Sequence, residues 1–135
     1  MIKLSKEKPY EDACKILGLH PVANYKSYKL TDETRNFIKL ETIAKALNEG
    51  WKSTTMDPKG VRYYIWGWNY TDNRKPSGLL VLASHYALGC ASAAVGSSLE
   101  FKDKDTAEEF ARICKPMIVK YLFGRDDHEN FKFDF

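Results

Sequence analysis

The side chains best suited to chemistry lie in one short segment, Val-Arg-Tyr-Tyr-Ile-Trp-Gly-Trp-Asn-Tyr at 61–70. Because side chains alternate between the two faces of an extended strand, every second residue of this segment shares a face. Aromatic rings on an open face can anchor a protein contact or stack on unpaired bases. One face of the predicted strand would carry a cation and four rings: Arg62, Tyr64, Trp66, Trp68 and Tyr70.

Two interpretations of this row of rings remain open. If the strand lies between two layers, the rings belong to the core; if one layer is missing, they form a binding surface. A surface of this kind could bind a protein, or a single-stranded nucleic acid whose phosphates would meet Arg62 and nearby lysines. The core or a protein contact is favoured, because aromatic residues are the usual anchors of protein interfaces.

A second aromatic pattern lies at the carboxyl end, where Phe131, Phe133 and Phe135 alternate with polar residues. This alternation predicts a strand with one apolar side. Such a strand can pair at the edge of its own sheet or insert into another chain. A frayed end is disfavoured, because exposing the three rings would forfeit about 2 kcal/mol of burial each.

Signatures of catalysis and metal binding are missing from the sequence. Ser84 and His85 are adjacent in a predicted strand, so they point to opposite faces and cannot act as nucleophile and base. Residues 126–129 (Asp-Asp-His-Glu) have the side chains of metal ligands, but a consecutive run of them is typical of a solvated acidic stretch. We therefore predict a protein that is not an enzyme, with no cofactor, no metal and no small-molecule substrate.

Helical periodicity predicts three helices. The first covers 9–17, with Pro9 at its start and Gly18 at its end; the second follows an N-cap at Thr31, and Gly50 closes it. The third helix is expected to begin near Asp105, with Glu108 as its capping-box partner, and to run to about 122. Pro116 lies inside that third pattern and predicts a kink.

Between the second and third helices, three strands are predicted at 61–70, 79–88 and 95–102. The expected fold is therefore α+β, in the order α-α-β-β-β-α, with a three-stranded antiparallel sheet packed against the helices. The carboxyl-terminal segment can add to this sheet as an edge strand. Residues 1–123 would form one domain, and 124–135 an acidic, phenylalanine-rich tail or edge strand.

The composition is that of an ordinary globular domain, with 135 residues, 44% hydrophobic residues and a net charge of +3. Cys14, Cys90 and Cys114 lack metal-ligand spacing, and the amino terminus lacks the apolar stretch of a signal peptide. Both features predict a cytoplasmic protein. Residues 76–99 lack charged side chains but contain many serines and glycines, so a buried hairpin is favoured over a membrane span.

Residues 38–122 resemble a group of small uncharacterised proteins encoded by gut bacteria, their phages and their integrated mobile elements. Besides the aromatic strand, the resemblance lies in Glu-Thr-Ile-Ala-Lys-Ala-Leu-Asn-Glu-Gly-Trp (41–51), Ala-Val-Gly-Ser-Ser-Leu-Glu-Phe-Lys (94–102) and Thr-Ala-Glu-Glu-Phe-Ala (106–111). It implies a phage or mobile-element setting in a bacterial cytoplasm, and no known activity. It also implies that Gly50-Trp51 and Val95-Gly96 belong to the structural framework of the fold.

The last ten or so residues resemble the acidic, phenylalanine-ended tail of bacterial and phage single-strand DNA-binding proteins, which implies recruitment of partner proteins. The function predicted first is a non-enzymatic binding or assembly protein of a phage or mobile element, which contacts a protein partner or a second copy. Its site residues would be Arg62, Tyr64, Trp66, Trp68, Tyr70, Phe131, Phe133 and Phe135. The alternative is a single-stranded nucleic-acid-binding protein with a partner-recruiting tail. Neither hypothesis places the protein at a membrane.

Overall fold

The computed structural model describes residues 2–52, 62–70, 77–84 and 99–135. The helices in these ranges are α1 (Pro9–Leu17), α2 (Asp32–Leu47) and α3 (Lys104–Phe123), and the strands are β1 (Arg62–Trp68), β2 (Ser77–Ser84), β3 (Glu100–Phe101) and β4 (Phe131–Phe133). Short 3-10 turns occupy Val22–Asn24 and His128–Asn130. The predicted α+β class is confirmed. Residues 95–98 of the third predicted strand and 85–88 of the second lie outside the described residues.

The ends of α1 and the start of α2 follow local signals in the sequence. Pro9 begins α1, and Gly18 ends it in the left-handed conformation, with φ 69°. Thr31 caps α2 by accepting a hydrogen bond at Oγ1 from the backbone N–H of Thr34, at 3.1 Å. These boundaries agree with the sequence prediction, because each is set by residues within one turn of the helix end.

The end of α2 is held by the neighbouring strand as well as by its own residues. The helix ends at Leu47, and the side-chain amide of Asn48 donates to the carbonyl of Glu100 at 2.9 Å and accepts from the N–H of Lys102 at 3.3 Å. The chain then turns through Glu49 (φ 50°) and Gly50 (φ 92°). The buried side chain of Asn48 therefore links the end of α2 to β3 through hydrogen bonds.

Helix α3 begins at Lys104, one residue from the predicted start, and its kink also agrees with the prediction, but its N-cap differs. The N-cap is Asp103 and not Asp105, because Oδ1 of Asp103 accepts a hydrogen bond from the N–H of Thr106 at 2.7 Å. Pro116 has no N–H to donate to the preceding turn. The helix bends at Cys114, whose dihedral angles (φ −105°, ψ 15°) are not helical.

Among the described residues, the sheet has four strands in the order β3-β1-β2-β4 and is not purely antiparallel as predicted. Strand β1 is antiparallel to both β2 and β3, while β4 is parallel to β2. The reason is that α3 connects β3 to β4. A chain that crosses a sheet through a helix returns in its original direction, so the strands before and after the helix run parallel.

The strands have a helix face, covered by α2 and α3, and an opposite outer face. Helix α3 contacts β1, β2 and β3, and α1 packs against α2. The core contains the ring pairs Phe101–Phe110 and Phe123–Phe131, with centroids 4.7 and 5.0 Å apart. By register and burial, the helix face carries Tyr63, Ile65, Gly67, Leu79, Phe101, Phe131 and Phe133, and the outer face carries Arg62, Tyr64, Trp66, Trp68, Leu80, Glu100 and Lys132.

Replacing Gly67 with alanine is expected to destabilise the fold by roughly 1–3 kcal/mol, the usual cost of overpacking. A Cβ atom there would lie 2.8 Å from the carbonyl oxygen of Gly78 and 2.9 Å from both Leu79 Cδ2 and Phe123 Cζ. Urea denaturation measures the change. A double-mutant cycle with Phe123→Leu should show partial relief of the cost; unchanged stability of Gly67→Ala would contradict the close packing of α3 on β1.

Replacing Asp103 with alanine is expected to cost about 1 kcal/mol of stability at neutral pH, whereas Asp103→Asn keeps an acceptor and should cost less. Burial raises the pKa of the Asp103 carboxyl, but the hydrogen bonds from Thr106 outweigh it and hold the pKa below its usual range. The carboxylate therefore stabilises the fold fully above the unfolded-state pKa of about 4. This stabilisation disappears as the pH falls through the folded-state pKa, so denaturation curves of wild type and Asp103→Ala should converge in acid.

Candidate binding surface

The candidate site is the outer face of the sheet, and the pleat of β1 places its rings there. Across to β2, Trp66 lies opposite Leu80 and Trp68 lies opposite Gly78. Across to β3, Tyr64 lies opposite Glu100. The structure therefore brings together the predicted aromatic positions within β1, as expected from the alternation of a strand.

The rings of this face differ in their exposure to solvent. Trp66, in the middle of β1, is 44% exposed, whereas Tyr64 and Trp68 are half-buried. The ring of Trp68 covers Gly78, where an added Cβ would lie 2.4 Å from Trp68 Cζ2. Tyr70 lies beyond the end of β1 and is exposed; its backbone N–H donates to Ser77 Oγ at 3.1 Å. Among the described residues, Trp66 is thus the most exposed ring of the outer face.

Arg62 does not have the role predicted for it. Its side chain is almost fully buried, and Nη1 lies 3.6 Å from Oε1 of Glu100, a carboxylate with no exposed surface. A guanidinium removed from solvent and paired with a carboxylate is not available to bind the phosphates of a partner. No local pattern in the sequence marks Glu100 as a partner of Arg62, because the contact depends on the register between β1 and β3.

The three terminal phenylalanines lie away from the outer face. Phe131 is fully buried and stacks on Phe123, so it belongs to the core. Phe133 lies beneath Lys115 of α3, with the ammonium 5.1 Å from the ring centroid, and Phe135 lies beneath Arg112 at 5.3 Å. The eight predicted site residues therefore separate into two groups, and the terminal rings face α3 while Trp66 faces away from it.

The acidic run after α3 is tied into the fold by ion pairs. Arg125 binds Asp127 through two nitrogens, and Asn130 donates to the same carboxylate at 3.0 Å. The pKa of Asp127 is accordingly held far below its usual range, chiefly by Arg125. Lys120 lies 3.2 Å from Asp126. Within 2–52, 62–70, 77–84 and 99–135, His, Cys, Asp and Glu form no group of three or more that could hold a metal.

Two cysteines lie in the described helices, and neither is suited to nucleophilic chemistry. Cys14 and Cys114 are buried, and burial raises the pKa of each thiol. Because the thiolate is the reactive form, both are unreactive at neutral pH. None of the helices in the described part of the chain is both long enough and apolar enough to cross a membrane.

Acrylamide should quench Trp66 more strongly than Trp68. The protein has three tryptophans, so the comparison uses Trp66→Phe and Trp68→Phe, each of which removes one emitter. We expect Trp66→Phe to remove the most quenchable part of the emission, because Trp66 is the more exposed ring. Equal loss of quenching in the two variants would contradict the greater exposure of Trp66.

No family model matches the chain, and no curated protein or solved structure matches it either.

Proposed function

We propose that this chain is a non-enzymatic binding or assembly protein that contacts another protein through the outer face of its sheet. The observation that supports the proposal is the exposure of Trp66 at the centre of that face. The resemblance of residues 38–122 extends the proposal to a phage or mobile-element setting. A second copy of the chain is the first partner to test, because it needs no other component.

The surroundings of Trp66 favour a protein contact. Tryptophan and tyrosine dominate the residues whose truncation weakens protein complexes most, and such residues are surrounded by a rim that excludes water. Leu80 lies directly across from Trp66, and the half-buried rings of Tyr64 and Trp68 flank it along the strand. A partner that covers Trp66 would therefore complete a largely apolar cluster.

Charge argues against a nucleic acid on this same face. Binding of single strands combines stacking rings with several cations that meet the phosphates. On the described outer face, Arg62 is buried against Glu100, and Lys132 is exposed. One exposed lysine is a weak match to a phosphate backbone.

The terminal strand can extend the proposed contact through its backbone. Strand β4 lies at the edge of the described sheet, and the N–H of Asp134 donates to Leu79 in β2 at 2.8 Å. Because backbone groups of neighbouring residues in a strand point to opposite sides, those of Phe133 point away from β2. An added strand could pair with that edge.

Sedimentation equilibrium from low micromolar to several hundred micromolar protein tests self-association. We expect concentration-dependent association in the wild type and its loss in Trp66→Ser. Tyr121→Ser is the matched control, because Tyr121 is an exposed ring on α3, away from the outer face. Circular dichroism of each variant checks that it is folded.

If the wild type is monomeric, peptides selected from a displayed library on the wild type provide the second test. Loss of peptide binding in Trp66→Ser but not in Tyr121→Ser would support a different protein as the partner. The proposal fails if the chain is monomeric and every selected peptide binds both variants equally. Salt-sensitive binding of an oligonucleotide that depends on Trp66 would also overturn it, in favour of the nucleic-acid alternative.

A further inference from the structure

A second aromatic surface lies in the connection between α1 and α2, far along the chain from the sheet. Residues 25–29 read Tyr-Lys-Ser-Tyr-Lys, here named the tyrosine loop. Tyr25 and Tyr28 are both exposed, and Tyr28 is 49% exposed. Their rings are nearly parallel, with an interplanar angle of 17° and centroids 5.9 Å apart. Two large rings thus stack on each other in solvent instead of packing into the core.

The backbone beneath these rings is held by one side chain of α2. The guanidinium of Arg35 donates to the carbonyls of Ala23 at 2.7 Å and Tyr25 at 3.2 Å, and also to that of Tyr28. The N–H of Tyr28 donates to the carbonyl of Tyr25 at 3.3 Å. The rings are therefore presented on an ordered loop, which lowers the entropy cost of binding a ligand.

The charge around the loop favours an anionic ligand. Each ring is followed directly by an exposed lysine, Lys26 after Tyr25 and Lys29 after Tyr28. Residues 15–31 contain three lysines and no aspartate or glutamate. Three acids lie near the loop: Asp32 and Glu33 at the start of α2, and Glu11 of α1, whose carboxylate accepts a hydrogen bond from the side chain of Asn24 at 2.8 Å. They would weaken the attraction without removing it, because the exposed lysines adjoin the rings directly.

We propose that the tyrosine loop binds single-stranded nucleic acid. The ring of Tyr28 would stack on an unpaired base, and Lys26 and Lys29 would meet the flanking phosphates. The alternation of ring and cation matches the alternation of base and phosphate along a single strand. An acidic peptide would use the lysines but not two parallel rings, and a duplex keeps its bases stacked inside. This site is independent of the protein contact proposed for the outer face.

Fluorescence anisotropy of labelled oligothymidylate and oligouridylate tests the proposal on the full chain. We expect binding at about 50 mM salt that weakens strongly by about 200 mM. Tyr28→Ala should weaken it roughly 5- to 150-fold, the usual effect of losing one stacked base, while Tyr28→Phe keeps the ring and should bind nearly as the wild type does. Lys26→Ala and Lys29→Ala should each reduce the slope of log affinity against log salt by about 0.7.

Two controls separate this proposal from the others. The first is Trp66→Ser, which should bind the oligonucleotides as the wild type does, because Trp66 lies on the sheet. If oligonucleotide binding depends on Trp66 and not on Tyr28, the nucleic-acid site is on the outer face instead. A labelled polyglutamate peptide that binds as tightly, with the same loss in Tyr28→Ala, would overturn the proposal in favour of an acidic protein. Absence of oligonucleotide binding by the folded wild type at low salt would overturn it outright. The polyglutamate result and the absence of oligonucleotide binding leave the sedimentation test of the outer face unaffected, whereas dependence on Trp66 would count against both proposals.

Discussion

The contact between α3 and the middle of the sheet determines which side of β1 is buried. At Gly67 the strand approaches both Gly78 of β2 and Phe123 of α3 so closely that a methyl group would not fit. Ile65, two residues earlier, points to the same side and is buried among residues of α2 and α3. Because side chains alternate along a strand, Trp66 must then point away from both helices.

The carboxyl terminus completes the helix face. Strand β4 pairs with β2, Phe131 stacks on Phe123, and cations of α3 cover the rings of Phe133 and Phe135. Each cation–π contact contributes about 0.5–1 kcal/mol at an exposed site. Of the two predicted roles for this segment, the structure shows pairing with its own sheet; insertion into another chain would require these contacts to be replaced.

The two proposed surfaces use aromatic rings in different electrostatic settings. On the sheet the cation predicted to meet phosphates is instead buried beside Glu100, and the described neighbours of Trp66 are Leu80 and the rings of Tyr64 and Trp68. In the tyrosine loop both lysines remain in solvent beside the rings. The same ring type can therefore favour a protein surface in one place and an anionic polymer in the other, because the neighbouring charges decide which ligand is attracted.

Local sequence determined the helices, their main caps, the kink near Pro116 and the alternation of β1, because each depends on residues a few positions apart. Tertiary structure alone decided the parallel pairing of β4, which follows from the crossing of α3. It also decided the pairing of Arg62 with Glu100 and the placement of Asn48 against β3, since these contacts join residues about 40 and 50 positions apart. No local pattern contains the register that brings such residues together, so which rings are surface and which are core emerges only from the folded sheet.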